Sequence, residues 1–117
     1  MAYVDGYLIP VPRDKRDAYR AMAAQVAEVF KGCGALSVTE CWGDDLPRGK
    51  VTDFHMAVKS EDNEAVVFSW ILWPDKATRD AGMAKAMQDP LMQPGASPPV
   101  FDGKRMIFGG FEVILQA

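Results

Sequence analysis

The chain has 117 residues, a length that fits one domain spanning residues 1–117 with one hydrophobic core. Its 13 lysines and arginines are interleaved with 16 aspartates and glutamates, so the chain lacks the basic stripe that nucleic-acid binding requires. The first residues contain no basic region followed by a long apolar segment, so we expect a cytoplasmic protein that is neither secreted nor membrane-spanning.

The first half of the chain predicts a strand, a helix and a second strand. Residues 3–11 are rich in aromatic and branched side chains and end at prolines, which is typical of a strand. Over residues 14–32 apolar side chains recur every three or four positions, which predicts an amphipathic helix that ends at glycines. Residues 35–42, ALSVTECW, follow as the second strand.

The second half begins with residues 51–59, whose pattern suits either a strand or a short irregular element. Residues 65–73, AVVFSWILW, are apolar on both alternating phases and predict a buried strand. Asp75 is a good N-cap for a helix over residues 76–89. We expect this helix to carry its small and apolar side chains on one side: Ala77, Ala81, Ala84 and Met87. A proline-rich loop over 90–103 and a last strand over 104–115 follow.

The predicted order of elements, β-α-β-β-α-β, is that of the α+β ferredoxin-like fold with an antiparallel sheet. In this fold the first and last strands are neighbours. Both contain glycine beside an aromatic residue, at Gly6 and at residues 109–110. Because glycine in a strand often marks a close approach of backbones, we predict that these two places lie near one another.

Both faces of the predicted sheet are apolar. In the third strand Phe68 and Trp70 point to one face, whereas Ile71 and Trp73 point to the other. Two helices cover one face, which leaves about eight large side chains in water on the other, at roughly 1.5 to 3 kcal/mol each. That sum rivals the roughly 5 to 15 kcal/mol that stabilises a whole domain. We therefore predict a homodimer in which the sheets of two protomers stack into an α/β barrel.

Six segments of the sequence together resemble a small bacterial family of unknown function typified by the protein YbaA. The segments span nearly the full chain and read YVDGY, ECWGDD, VTDF, VVFSWI, WPDKATRD and FDGKRMIFGGF. The resemblance implies the dimeric α/β-barrel superfamily, in agreement with the argument from the two apolar faces. It implies no reaction, substrate or catalytic residue. That superfamily contains cofactor-free monooxygenases, haem-using enzymes, isomerases and stress-related proteins, so the fold alone does not decide the function.

The segment ECWGDD, residues 40–45, combines a cysteine and a tryptophan with carboxylates. Strand alternation places Glu40 and Trp42 on one face and Cys41 on the other, so these side chains cannot converge on one point. We therefore interpret Cys41 as a small buried hydrophobe. The aspartates at 44 and 45 suit a turn, although a carboxylate pair at the barrel mouth is the alternative. Two cysteines without ligand spacing predict neither a disulfide nor a zinc site.

His55 and Asp53 are the candidate catalytic residues. The only histidine of the chain would act as a general base if a nearby carboxylate oriented it. The alternative is a surface or hydrogen-bonded histidine without a catalytic role. Asp44, Asp45, Asp53 and His55 match no known spacing of a metal-binding loop, so we predict no metal site and no cofactor.

Trp70, Ser69 and Trp42 are the candidate ligand-binding residues. Ser69 is the one polar side chain in the third strand, and a buried hydroxyl marks either a backbone contact or the polar floor of a cavity. By contrast, we expect Arg79 and Asp80 to be solvated at the start of their helix.

The leading prediction is a homodimeric protein that binds a small apolar or aromatic molecule in a cavity between sheet and helices. Two alternatives stay open. One is a cofactor-independent monooxygenase-like or isomerase-like enzyme whose pocket is shaped by Trp70, Ser69, Asp53 and His55. The other is a stress-related interaction protein, which would expose an apolar patch beyond the dimer contact.

Overall fold

A computed structural model describes residues 1–95 and 99–117 of the chain. Within these residues the main elements follow the predicted β-α-β-β-α-β order, with one short helix added between the second and third strands. The elements are β1 (Tyr3–Pro12), α1 (Arg16–Gly32), β2 (Ser37–Trp42), α2 (Phe54–Ala57), β3 (Glu64–Trp73), α3 (Lys76–Ala86) and β4 (Ile107–Glu112). The predicted loop over 90–103 contains a 3-10 turn at Pro90–Met92, and its residues 96–98 lie outside the described residues.

The four strands form one antiparallel sheet in the order β2-β3-β1-β4, which confirms the ferredoxin-like α+β fold. β1 is central and pairs with β3 along its whole length, from Tyr3 opposite Trp73 to Pro12 opposite Glu64. The other edge of β1 pairs with β4. Gly6 and Gly109 lie directly opposite each other, so the predicted approach of the two glycine-containing places is confirmed.

The two faces of the sheet differ in what covers them. The helix-facing side chains form the core, where the Trp73 and Phe30 rings pack edge to face with centroids 6.4 Å apart. We call the opposite side the open face. Its apolar side chains, as the strand register assigns them, are Val4, Leu8, Phe68, Trp70, Leu72, Ile107 and Phe111. The predicted alternation in the third strand is therefore confirmed.

The buried side of α3 differs from the predicted one. Asp75 caps the helix as expected, because its Oδ1 accepts a hydrogen bond from the Thr78 amide at 2.7 Å. The buried residues, however, are Gly82 and Ala86, whereas the four predicted inner residues are all exposed. At Gly82 an added Cβ would lie 2.6 Å from the Trp73 ring, so the helix backbone itself packs on the core. The alanine periodicity did not reveal this close approach.

Two other elements are shorter than their sequence patterns suggest. Residues 51–59 contain the four-residue helix α2 and no strand, because the Asp53 side chain accepts a hydrogen bond from the Met56 amide at 2.6 Å and starts a helical turn. The last strand ends at Glu112, because β1 begins at Tyr3 and offers no further partner. The last contact is the bond from the Val113 amide to the Ala2 carbonyl, at 3.1 Å.

Candidate functional site

A cavity of about 420 Å³ lies between the helix-facing side of the sheet and the helices α1 and α3. Most of its wall is apolar. Five of the seven methionines of the chain line it: Met22, Met83, Met87, Met92 and Met106. Phe30, Phe101 and Phe108 add aromatic surface. Methionine side chains are flexible and polarisable, so such a wall adapts to the shape of an apolar guest.

A row of polar side chains crosses the floor of this cavity. Glu40 in β2 pairs with Ser69 in β3, which pairs with Tyr7 in β1. Tyr7 pairs in turn with Phe108 in β4, and the two rings stack with centroids 6.1 Å apart. Directly paired residues of antiparallel strands have Cβ atoms about 5 Å apart, so the carboxylate and the two hydroxyls are close neighbours. We call Glu40, Ser69 and Tyr7 the polar row.

The rows on either side of the polar row are mainly apolar. On one side Trp42, Val67 and Ile9 lie in register. On the other side Val38 and Ile71 lie in register, followed by Asp5 in β1. The hydrogen-bonding groups on the floor are therefore concentrated in one line across the sheet.

Tyr19 of α1 holds the Glu40 end of the polar row. Its hydroxyl donates a hydrogen bond of 2.6 Å to Glu40 Oε1. Burial, and then this hydrogen bond, raise the pKa of the Tyr19 phenol well above its ordinary value. Removal from water by the surrounding side chains raises the pKa of the Glu40 carboxyl, although the bond from Tyr19 acts in the opposite direction. The bond thus fixes the orientation of the Glu40 carboxylate, although Glu40 as a whole is still exposed to solvent.

Asp5 and Arg79 form an ion pair at the other end of the cavity. Asp5 is only 3% exposed, and its Oδ1 lies 2.7 Å from Arg79 Nη2. Trp73 Nε1 also donates to Asp5, at 2.9 Å. The hydrogen bonds that Arg79 donates to the Asp5 carboxylate raise the pKa of Arg79 further above its ordinary value. The expectation of a solvated Arg79 was wrong, because the buried carboxylate draws the guanidinium inward.

The Tyr7 hydroxyl lies between these charged groups. Burial, and then the charge of Asp5, raise the pKa of Tyr7 to about 12, so the hydroxyl keeps its proton at neutral pH. It can therefore both donate and accept a hydrogen bond. Among the described residues, every fully buried side-chain nitrogen or oxygen has a hydrogen-bond partner.

A second depression, which we call the outer cleft, lies on the far side of the Tyr19–Glu40 bond. It measures about 440 Å³ and is lined by α1 and β2. Two arginines, Arg16 and Arg20, line it together with Trp42, and the Arg16 guanidinium lies 5.4 Å from the centroid of the Trp42 ring. Tyr19 and Glu40 belong to the walls of both the cavity and the outer cleft. Their hydrogen bond therefore lies where the two adjoin.

The structure does not bring the three predicted ligand-binding residues together. Ser69 lies on the cavity floor and is 3% exposed. Trp70 lies on the open face beside Phe68, with ring centroids 5.4 Å apart. Trp42 lines the outer cleft. Because residues 69 and 70 are consecutive in a strand, they must point to opposite sides of the sheet, and no single pocket uses both.

Asp53 and His55 lie outside the cavity. Asp53 accepts hydrogen bonds from the backbone amides of Met56 and Gly49, and these bonds lower the pKa of its carboxyl to about 2. Arg48 Nε donates to the same carboxylate at 3.0 Å. His55 Nδ1 lies 2.7 Å from Ser60 Oγ. Trp70, Ser69, Asp53 and His55, which were predicted to shape a monooxygenase-like pocket, therefore do not line one cavity within this chain.

The segment ECWGDD spans the end of β2 and the three residues that follow it. Glu40 and Trp42 do share one face of β2, as the alternation predicted. Cys41 is exposed instead of buried, because it pairs with Phe68 and therefore lies on the open face, in the edge strand β2. Asp44 and Asp45 are exposed and do not line the cavity.

Two residues of the site were not predicted from the sequence: Asp5 and Tyr19. A signal for Asp5 was present, because it is the one charged residue among the inward-facing positions 3, 5, 7, 9 and 11 of the first strand. An acid in that phase requires a buried partner. Tyr19 gave no comparable signal, since a tyrosine in an apolar helical stripe is typical of a core residue.

Within the described ranges, no group of three or more His, Cys, Asp or Glu side chains is arranged to hold a metal ion. None of the helices there has the length and hydropathy needed to cross a membrane.

Comparisons with known proteins agree with this architecture. Residues 2–103 match the family model described as "Protein of unknown function (DUF1428)". The uncharacterized protein YbaA of Escherichia coli strain K12 is 59% identical over 116 residues, covering 99% of each chain. The YbaA protein of Shigella flexneri matches to the same extent.

Among solved structures, that of Rv0793 from Mycobacterium tuberculosis superposes with a TM-score of 0.53 at 13% identity, covering 100% of this chain and 99% of that one. At this identity the likeness concerns the fold alone. The match to the family model and the 59% identity to YbaA extend over nearly the whole chain. The chain therefore belongs to the DUF1428 family of proteins of unknown function.

Proposed function

We propose that this protein binds a small apolar or aromatic molecule in the cavity between the sheet and the helices. One observation carries the proposal: a mostly apolar space of about 420 Å³ that contains a few convergent polar groups. Ligand sites typically measure about 300 to 1,000 Å³ and combine apolar walls with a small number of hydrogen-bonding groups. The methionine-rich wall supports a guest of adaptable shape.

The charges of the cavity favour a guest without charge. Three charged residues line it, namely Asp5, Arg79 and Glu40. Asp5 and Arg79 neutralise each other through their ion pair. An ionised guest would therefore lose its hydration without meeting an available opposite charge from that pair.

Isothermal titration calorimetry with 2-naphthol tests this function. Met22 lines the cavity, whereas its neighbour Ala21 is exposed on the other side of α1. We expect wild type and Ala21→Phe to bind 2-naphthol, and Met22→Phe, which fills part of the cavity, to bind it at least about tenfold more weakly. Equal affinity of the two variants, or no binding by wild type, would contradict the proposal. Circular dichroism establishes that each variant is folded.

We also propose that the protein is a homodimer that covers the open face. Phe68 is 48% exposed there, Ile107 45% and Phe111 62%. Burial of such a side chain stabilises a protein by roughly 1.5 to 3 kcal/mol. Past β4, Ile114 and Leu115 are exposed as well. A second copy presents the same apolar face and is therefore a fitting partner.

Sedimentation equilibrium tests the homodimer. We expect wild type to sediment as a dimer and the variant Phe68→Glu/Phe111→Glu as a monomer or an unfolded chain. Leu36→Glu is the matched control, because Leu36 is 59% exposed but precedes β2, outside the set of open-face residues. A wild-type protein that sediments as a folded monomer at low concentration would contradict the proposal. Dissociation by Leu36→Glu alone would place the interface elsewhere.

A further inference from the structure

Glu40 has hydrogen-bonding capacity that the protein itself does not use up. An ionised carboxylate accepts about four hydrogen bonds, and Tyr19 supplies one of them, to Oε1. Because this bond holds the carboxylate in place, its remaining capacity is presented in a fixed direction. Glu40 lines the cavity, so a donor on a bound molecule can reach the carboxylate.

Ser69 and Tyr7 extend this hydrogen-bonding capacity along the floor. They follow Glu40 in register across β3 and β1. Both hydroxyls rotate and can either donate or accept. The row ends at Phe108, which stacks on Tyr7. A flat molecule lying over this row would thus meet a carboxylate at one end and an aromatic surface at the other.

The charges around Glu40 determine which ligand suits it. Within the cavity the Asp5–Arg79 pair is internally neutralised, so Glu40 supplies the remaining charge. A negative ligand would be repelled by this carboxylate. A positive ligand would have to give up its hydration against the mainly apolar wall of the cavity. A neutral molecule with a hydrogen-bond donor avoids both costs.

From this geometry we infer that Glu40, oriented by Tyr19, is the residue that selects the ligand, and that the ligand is an aromatic molecule with a hydroxyl group that donates a hydrogen bond to the Glu40 carboxylate. The inference rests on the proposed function, since it names the ligand class of the same cavity. A hydrogen bond to a charged group contributes more than one between neutral groups, and its loss is measurable as an affinity ratio.

Two probes separate this inference from the proposed function. 2-Naphthol carries the hydroxyl, whereas 2-methoxynaphthalene has the same ring system but no O–H donor. We expect wild type to bind 2-naphthol about tenfold or more tightly than 2-methoxynaphthalene, as one charge-assisted hydrogen bond predicts. If both bind equally well, the inference fails and the proposed function stands. If neither binds, both fail.

Variants of Glu40 test the residue assignment. We expect Glu40→Leu to bring the affinity ratio of the two probes close to one. Glu40→Gln, which keeps an uncharged acceptor, should give an intermediate ratio and serves if Glu40→Leu does not fold. Tyr19→Phe should also lower the ratio, because the carboxylate is no longer held. Glu28→Leu is the control, since Glu28 lies on the exposed side of α1. A wild-type ratio in both Glu40 variants would overturn the assignment.

Discussion

The guanidinium of Arg79 contacts the carboxylate of Asp5 across 74 positions of sequence, with Nη2 and Oδ1 2.7 Å apart. This contact joins α3 to the central strand of the sheet. Arg79 Nε also lies 3.1 Å from Asp5 Oδ2, which accepts in addition from Trp73 Nε1. The pair therefore connects the cavity wall to the best-buried aromatic residue of the core.

Breaking this pair should destabilise the protein strongly. We expect Asp5→Asn to lower the free energy of unfolding by about 2 to 3 kcal/mol, because it removes the buried counter-charge of Arg79 and leaves only the exposed Asp80. Asp5→Asn/Arg79→Met should lose less than the sum of the single variants, since the two residues interact. Urea denaturation measures these differences. Additive losses would contradict the account. Asp80 also accepts from Arg79 Nη1 at 3.0 Å but is exposed, so Asp80→Asn should change stability less than Asp5→Asn does.

Gly82 should not tolerate even a methyl group. A Cβ at this position would lie 2.5 Å from the Cys33 carbonyl oxygen and 2.6 Å from the Trp73 ring. We expect Gly82→Ala to lower the free energy of unfolding by about 1 to 3 kcal/mol, despite the better helix propensity of alanine. Gly32→Ala is the control, because no atom lies within 4 Å of its added Cβ. Thermal unfolding in which Gly82→Ala equals or exceeds wild type would contradict the close packing.

The Arg105–Glu64 ion pair should make the free energy of unfolding depend on pH in the acid range. Arg105 donates to both carboxylate oxygens of Glu64, at 2.7 and 2.8 Å. These bonds lower the pKa of Glu64 below its ordinary value. The stabilisation is therefore complete above the ordinary pKa of a glutamate, about 4.3, and is lost as the pH falls through the lower folded-state pKa.

Urea unfolding between about pH 6 and pH 3 measures this dependence. We expect the free energy of unfolding of wild type to fall more steeply towards acid than that of Glu64→Gln, which cannot lose a charge at this position. Glu61→Gln is the control, because Glu61 is exposed and lies 3.6 Å from Arg105. If the free energy of unfolding falls equally steeply with pH in wild type and Glu64→Gln, the Arg105–Glu64 pair does not contribute to the acid dependence of stability.

Asp53 should prove structural and not part of the ligand site. Its carboxylate caps α2 through the amide of Met56 and also holds that of Gly49. We expect Asp53→Ala to accelerate hydrogen exchange at these two amides while leaving the affinity for 2-naphthol unchanged. His55→Ala should likewise leave this affinity unchanged. A large loss of affinity in either variant would return these residues to the binding site.

The sequence predicted those features that depend on local pattern. Alternation assigned Phe68 and Trp73 to opposite faces, and Asp75 marked the start of α3. The ion pair of Asp5 and Arg79 could not be read in this way, because its partners meet only once the fold exists. The packing of Gly82 on Trp73 is also a tertiary contact that overrides the alanine pattern. In each case the contact depends on how the elements pack in three dimensions, so no local sequence pattern shows that the two residues meet.

The polar row was likewise predictable only in part, where it depends on local alternation. That Glu40 and Trp42 share a face followed from alternation, but the pairing of Glu40 with Ser69 required the strand register. Grouping Ser69 with Trp70 into one pocket ignored the same alternation that sends them to opposite sides. The contact from Tyr19 to Glu40 needed the position of α1 over the sheet.

The central claim, that the cavity is the ligand site, is tested most directly by NMR of the protein with ¹³C-labelled methionine methyl groups during titration with 2-naphthol. The five cavity-lining methionines are Met22, Met83, Met87, Met92 and Met106, whereas Met1 and Met56 lie outside the cavity. The account predicts that signals of the first group shift in a saturable manner and that those of Met1 and Met56 do not. Unchanged cavity signals, or shifts confined to Met1 and Met56, would contradict it.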